Sequence, residues 1–320
     1  MGGFRPIHIV FDERCQLHTP PLDHPEGPNR THAIMERMKS SVLRDVVTIV
    51  PSRMATMDEL TLVHDVNYIL AFEEACLSGR EYMGHGDNAI CYETFEAALV
   101  AAGGGLQAID LIEAGEAERV FCCTRPPGHH AEPASPLGFC FINNCALAAR
   151  YWQERHGVEK VVIFDFDAHH GNGIETIFFE DPSVLYISIH EHPAFSFPGT
   201  GYGEDRGGGR GEGLTLNIPL MPGAGEQEVM DALKAFISPA LERFSPDALV
   251  VAAGFDAHEM DDMSGLAYTT KVFGKLGVAA RLWADSFCSG RLVAILEGGY
   301  QLDALAASCE RFLGGLSLEC

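Results

Sequence analysis

Positive charge is scarce in this 320-residue chain: 22 lysines and arginines face 45 aspartates and glutamates, a formal net charge of -23. That balance disfavours binding to a phosphate backbone, so no nucleic-acid partner is expected; it would attract cationic substrates or simply keep the surface soluble. Ten cysteines are present, yet no C-x-x-C pair occurs, which removes the common structural-zinc and dithiol signatures. The cysteines sit mostly in apolar contexts and read as buried thiols of a reducing compartment. No uncharged apolar stretch is long enough to span a membrane, and the Met-Gly-Gly-Phe-Arg-Pro start lacks the basic and apolar regions of a secretory signal. A cytoplasmic location without a membrane partner is therefore expected. No Pro/Ser/Gly-rich linker, charge block or repeat of fixed period divides the chain, so residues 1–320 are expected to form one domain.

What is present is a succession of short apolar runs in a chain that is 47% hydrophobic and long enough for a large core. Eight runs qualify as strands: 7–11, 46–50, 120–123, 161–166, 184–189, 214–218, 248–253 and 292–296. Helical patterns lie between most of them, the clearest over 94–114, 144–156, 227–244 and 271–287. This alternation predicts an α/β fold with a mainly parallel sheet of about eight strands sandwiched by helices. Three connections, 12–28, 79–92 and 191–213, are too long or glycine-rich to be simple joins. The Gly207-Gly-Gly-Arg-Gly211 run reads as a disordered excursion, and the first two connections read as the rim of a site.

Chemistry-bearing residues begin where the strands stop. Val161-Val-Ile-Phe runs into Asp165-Phe-Asp-Ala-His-His-Gly-Asn-Gly173, and Arg125-Pro-Pro-Gly-His-His-Ala131 follows another run. Ligands of open α/β sheets bind at such strand ends. Asp167 and His169 are two apart, so period-two geometry would point both to one side, where a carboxylate and an imidazole can share a cation. Asp256, after Leu249-Val-Val-Ala-Ala, is the best third ligand. Two aspartates and a histidine with an open position make a catalytic type of site. Burying Asp165, Asp167, His169, His170, His129 and His130 together is costly unless a metal or hydrogen bonds compensate.

These motifs, with His24-Pro-Glu26, Arg30, Gly138-Phe-Cys-Phe-Ile-Asn-Asn144, Phe197-Pro-Gly-Thr-Gly201, Gly254-Phe-Asp256 and Glu297-Gly-Gly-Tyr300, resemble the histone deacetylase and acetylpolyamine amidohydrolase superfamily. The likeness covers nearly the whole chain and implies the three-layer α/β/α arginase/deacetylase fold. It implies Zn2+ held by Asp167, His169 and Asp256, with His129 and His130 beside the water that the cation activates. It further implies that Asp165 bonds His129 and Asn172 bonds His130, making His129 the more cationic and His130 the better general base, since a carboxylate favours imidazolium and a neutral amide does not. Tyr300 would donate to the developing oxyanion, a bond worth about 3 to 4 kcal/mol.

By the same resemblance Phe139 and Phe197, with Gly138, wall a narrow acyl-lysine tunnel. Met263 stands where a polyamine-selective branch carries a glutamate, and a methionine cannot pair with a distal ammonium. Asp87, in the 79–92 loop, is a candidate rim carboxylate for substrate amides or a cationic head group. A K+ site is expected from Asp165, Asp167, the His169 carbonyl, Ser188 and the Ile189 carbonyl. A binuclear manganese ureohydrolase would need carboxylates where Gly171 and His258 stand. The expected function is a zinc-dependent deacetylase acting on acetylated lysine peptides or small acetylated amines. Acetylpolyamine hydrolysis is the main alternative, a non-catalytic acyl-lysine-binding module the weaker one, and homo-oligomer formation is left open.

Overall fold

The computed structural model of the protein describes residues 4–318. Its sheet holds β1 (Ile7–Val10), β2 (Val47–Val50), β3 (Arg119–Cys122), β4 (Val161–Asp165), β5 (Val184–Glu191), β6 (Thr215–Leu220), β7 (Ala248–Ala253) and β8 (Leu292–Leu296), ordered β2-β1-β3-β8-β7-β4-β5-β6. Every neighbouring pair is parallel. The helices are α1 (Asn29–Ser40), α2 (Met57–Leu60), α3 (Val66–Leu77), α4 (Thr94–Glu113), α5 (Asn144–His156), α6 (Asn172–Phe178), α7 (Glu226–Ala232), α8 (Ser238–Phe244), α9 (Thr270–Phe287) and α10 (Leu302–Ser317).

Continuous apolar runs form the central strands because both faces are covered. In β4, Val162 and Phe164 pack with residues of α1, α9 and α10, while Val161 and Ile163 pack with α3, α4 and α5. Successive side chains of one strand thus serve two cores, and the three-layer α/β/α architecture follows. Local signals bound the helices. In α5, the Asn143 side chain accepts from the Ala146 amide at 3.0 Å, and Gly157 closes the helix at φ 68°. By length and composition α4 could cross a membrane, but most of it is buried within the fold, as a core helix would be.

Two expectations change. The helix expected over 227–244 is α7 and α8 joined by a π-helical turn, Leu233–Ile237. The 207–211 glycine run is ordered rather than an excursion: the Gly208 amide donates to the Phe179 carbonyl at 2.8 Å, and a Cβ on Gly211 would lie 2.7 Å from that oxygen. The glycines let two backbones touch, which composition alone could not distinguish from disorder.

A similar approach joins α9 to α10, where a Cβ on Gly277 would lie 2.2 Å from the Phe312 carbonyl oxygen. Gly277→Ala must push the helices apart and should destabilise the protein by about 1–3 kcal/mol despite better helix propensity. Chemical denaturation is the check; an unchanged or raised midpoint would remove this contact from the account.

Candidate active site and metal centre

Strands β3, β8, β7 and β4 are consecutive in the middle of the sheet, so the segments leaving their C-terminal ends meet at one edge of the sheet. They bring His129 and His130, then Glu297 to Tyr300, then Asp256, then Asp165 to Asn172. Asp167 and His169 do not owe their direction to the pleat, because β4 ends at Asp165. The chain turns instead on two side-chain bonds: the Asp167 amide donates to Asp165 Oδ1 at 3.1 Å, and the His169 amide to Asp167 Oδ1 at 2.9 Å. Aspartate favours such turns because its carboxylate accepts from the backbone two residues on.

Candidate ligand atoms of Asp167, His169 and Asp256 all lie within 4.8 Å of one another, and all three residues are buried. His169 Nδ1 is 3.1 Å from both Asp167 Oδ1 and Asp256 Oδ2, while Nε2 bonds the Met263 carbonyl at 3.1 Å. A carbonyl only accepts, so Nε2 carries hydrogen and Nδ1 is the nitrogen that faces the two carboxylates. Each carboxylate is braced from behind. Gly298 donates its amide to Asp167 Oδ2 at 2.7 Å, and Ala168 donates its amide to Asp256 Oδ1 at 2.9 Å. A Cβ on Gly254 would sit 2.0 Å from Asp167 Oδ2, and one on Gly298 2.1 Å from Asp256 Oδ2.

This donor set fits a divalent cation. Burial and the charge of Asp167 raise the Asp256 carboxyl to about 6. Burial also works against charge on His169, but hydrogen bonds donated to Asp167 and Asp256 override it and hold the imidazole well above its usual value. The cluster demands positive charge at its centre.

The histidine pair is held in two different states. His129 Nδ1 meets Asp165 Oδ2 at 3.1 Å; burial opposes charge there, but Asp167 and Asp165 raise His129 to about 10. His130 Nδ1 meets Asn172 Oδ1 at 2.8 Å, and burial with the charges of His129 and His169 holds it well below its usual value. The amide of Asn172 is oriented by Glu132, whose Oε1 accepts from Nδ2 at 2.9 Å. Asn172 Oδ1 therefore accepts from His130 Nδ1, which leaves a lone pair on Nε2.

Gly138 lies against the His130 ring and Phe197; a Cβ there would be 2.3 Å from the former and 2.9 Å from the latter. Phe197 meets His130 edge to face at 5.1 Å between centroids, and Phe139 meets Tyr300 at 5.9 Å. Phe139 has φ 68°, unusual for a bulky side chain, and its amide is held by Asn88 Oδ1 at 2.9 Å. Asp87 is spoken for in part: its carboxylate lies 2.8 Å from His85 Nδ1, and its carbonyl accepts from His24 at 3.1 Å. Ser188 is level with Asp165 across β4 and β5. Its Oγ is 2.7 Å from His190 Nδ1, and His190 Nε2 donates to the Gly201 carbonyl at 2.8 Å, so Ser188 donates to His190 and keeps its lone pairs. Burial raises the Tyr300 hydroxyl well above its usual value, against the opposing charge of Arg30, so it stays a neutral donor.

Several residues complete the site in roles the motifs did not assign, and one of them, Tyr186, was not singled out in the sequence at all. Glu297 Oε2 accepts from the amides of Gly128 and His129 at 2.7 and 3.1 Å, and burial raises its carboxyl to about 7 against the charge of His129. An acid following a buried strand was the available clue. Tyr186 donates to Asp165 Oδ2 at 3.1 Å, and Met263 contributes its carbonyl rather than its side chain. Beneath them Glu26 is buried between Arg125, at 2.8 and 2.7 Å, and Arg30, at 3.1 Å. Arg30 also donates to the carbonyls of Glu297 and Gly299, and its guanidinium lies 4.9 Å from the Tyr300 ring centroid.

A family model described as the histone deacetylase domain matches residues 24–316. The chain belongs to the histone deacetylase family, whose members are metal-dependent hydrolases. It is 39% identical to the rice protein named histone deacetylase 10, chloroplastic, over 98% of this chain and 75% of that one. It is 36% identical to the histone deacetylase-like amidohydrolase of Pseudomonas aeruginosa, over 91% and 81%. The solved HDA15 HD domain superposes with a TM-score of 0.91 at 33% identity, over 98% of this chain and 88% of that one.

Glu26 supports a prediction about stability. Burial alone would raise its carboxyl, but Arg125, His18 and Arg30 hold it well below its usual 4.5. Its contribution is therefore complete above about pH 4.5 and lost as pH falls toward the native-state value. Glu26→Gln leaves two buried guanidiniums uncompensated and should lose about 3–5 kcal/mol at pH 7. The gap to the parent should narrow on acidification; denaturation giving a pH-independent gap would contradict the ion-pair account.

Proposed function

We propose that the chain is a zinc-dependent amidohydrolase that removes acetyl groups from lysine side chains or primary alkylamines. The observation that carries this reading is the convergence of Asp167, His169 and Asp256 beside one neutral and one cationic histidine. Asp167, His169 and Asp256 would hold Zn2+, which when bound polarises a carbonyl and acidifies water. His130 Nε2, with its lone pair free, accepts the proton of the attacking water and returns it to the amine as the C–N bond breaks. His129, kept cationic by Asp167 and Asp165, supplies positive charge beside the developing oxyanion, and the neutral Tyr300 hydroxyl donates a hydrogen bond to it. Phe139 and Phe197, with Gly138 against the latter, would wall a slot for a linear methylene chain. Asp165, Asp167, Ser188 and the carbonyls of His169 and Ile189 would hold K+, a reading supported by the free lone pairs of Ser188.

Residues 1–320 are proposed to act as one catalytic domain in the cytoplasm, a setting supported by nine free thiols among the described residues. Met263 in place of a carboxylate supports acetyl-lysine over acetylated polyamines as substrate. A side-by-side rate comparison of acetyl-lysine peptide, acetylputrescine and acetylspermidine on zinc-loaded protein tests this order. Faster turnover of acetylspermidine would move the assignment to polyamines, and binding of the peptide without hydrolysis would move it to a binding module.

Tyr300→Phe should lower kcat by about 100- to 1000-fold while zinc content is unchanged, since it removes one oxyanion donor. Unchanged turnover would refute that role. Asp256→Ala should reduce zinc content measured by elemental analysis, and full occupancy would take Asp256 out of the ligand set.

A further inference from the structure

Tyr300 and His169 lie 131 positions apart in sequence, yet one short turn touches the backbone of the first and the ring of the second. The turn is Asp261 to Met263, and Asp261 is only 6% exposed. Asp261 Oδ2 accepts from the amides of Tyr300 at 2.6 Å and Gln301 at 2.9 Å. Asp261 Oδ1 accepts from the Met263 amide at 3.2 Å. The Met263 carbonyl in turn accepts from His169 Nε2 at 3.1 Å. One carboxylate thus uses both oxygens: one holds the peptide that carries Tyr300, the other the amide of Met263, the residue whose carbonyl orients His169.

The peptide plane before Tyr300 is clamped at both ends, because Arg30 donates to the Gly299 carbonyl at 2.6 Å while Asp261 takes the Tyr300 amide. With that plane fixed and the Gln301 amide held by the same carboxylate at 2.9 Å, the Tyr300 backbone is restrained on both sides and its freedom lies mainly in the side-chain torsions. Ser264 adds a third tie, donating its hydroxyl to the Asp256 carbonyl at 2.9 Å. The 261–264 segment therefore contacts two of the three candidate ligands and the hydroxyl donor together. A substrate carbonyl would have to fit between those groups, and an error of about 1 Å in such spacing costs on the order of 100-fold in rate.

We propose that Asp261 is a positioning residue: its carboxylate sets the distance between the Tyr300 hydroxyl and the metal ligand His169 by bonding the Tyr300 and Met263 amides at once. The kinetic consequence rests on the deacylase reading; the effect on His169 does not. An asparagine offers one acceptor oxygen, which would stay with the two amides of Tyr300 and Gln301 and turn an NH2 toward the Met263 amide. Asp261→Asn therefore separates the two halves of the clamp, whereas Asp261→Ala removes both.

The test uses full-length zinc-loaded protein carrying Asp261→Ala or Asp261→Asn, each with Tyr300 or Tyr300→Phe. Asp261→Ala should lower kcat about 100-fold with KM within about threefold, and should cost no more than about threefold further beside Tyr300→Phe. Both Asp261 variants should weaken zinc binding about tenfold in chelator competition, as loss of an outer-shell partner does. Only Asp261→Ala should speed amide hydrogen exchange at Tyr300 and Gln301. Equal kcat losses in the two Tyr300 backgrounds, with unchanged zinc affinity, would overturn the proposal. Wild-type protein that binds zinc but hydrolyses no acyl amine would sink the deacylase reading alone. The zinc and exchange measurements would then still decide the role of Asp261.

Discussion

Two buried carboxylates, Asp167 and Asp256, turn toward the same nitrogen of His169, and much of the local structure exists to keep them there. Like charges this close repel, and burial raises the cost of each. The fold answers with backbone amides behind both carboxylates and with glycines at 254 and 298, where any side chain would fill the space the oxygens occupy. What remains is a pocket of negative charge best completed by a divalent cation. The position at the ends of the four middle strands follows, since only there do segments leaving separate strands converge.

The same logic extends outward through partners that differ in charge. Asp165 gives His129 a carboxylate and Asn172 gives His130 an amide, so two adjacent imidazoles titrate on opposite sides of neutrality. That split places an acceptor and a cation side by side without either moving. Further down, Glu26 binds two arginines that would otherwise repel, and one of them, Arg30, holds the turn that carries Tyr300. The site is thus tied to a buried ion-pair network, and its geometry depends on groups that would never touch a substrate.

Much of this was legible residue by residue. All eight strands appear within a few residues of their expected limits, because short runs rich in Val, Ile and Leu between turn-forming residues are local features of the sequence. The strand-end acids and histidines fall where expected. Less legible were features made by contact. Asp167 and His169 share a side through side-chain turns beyond the strand rather than through pleat alternation. The glycines at 207–211 serve close approach, the helix over 227–244 carries a π-helical turn, and Met263 works through a carbonyl that any residue would have supplied.

The chain by itself determined which residues could bear the chemistry and that they stand at strand ends, since apolar runs and the residues that stop them are local properties. It also determined that the sheet is mainly parallel, because helices alternate with strands. Only the tertiary structure decided that β8, the last strand in sequence, lies between β3 and β7, bringing Glu297 and Tyr300 against His129 and Asp256. Strand order and hydrogen-bond direction come from how layers pack and which donors meet across hundreds of residues, and no local pattern encodes that choice.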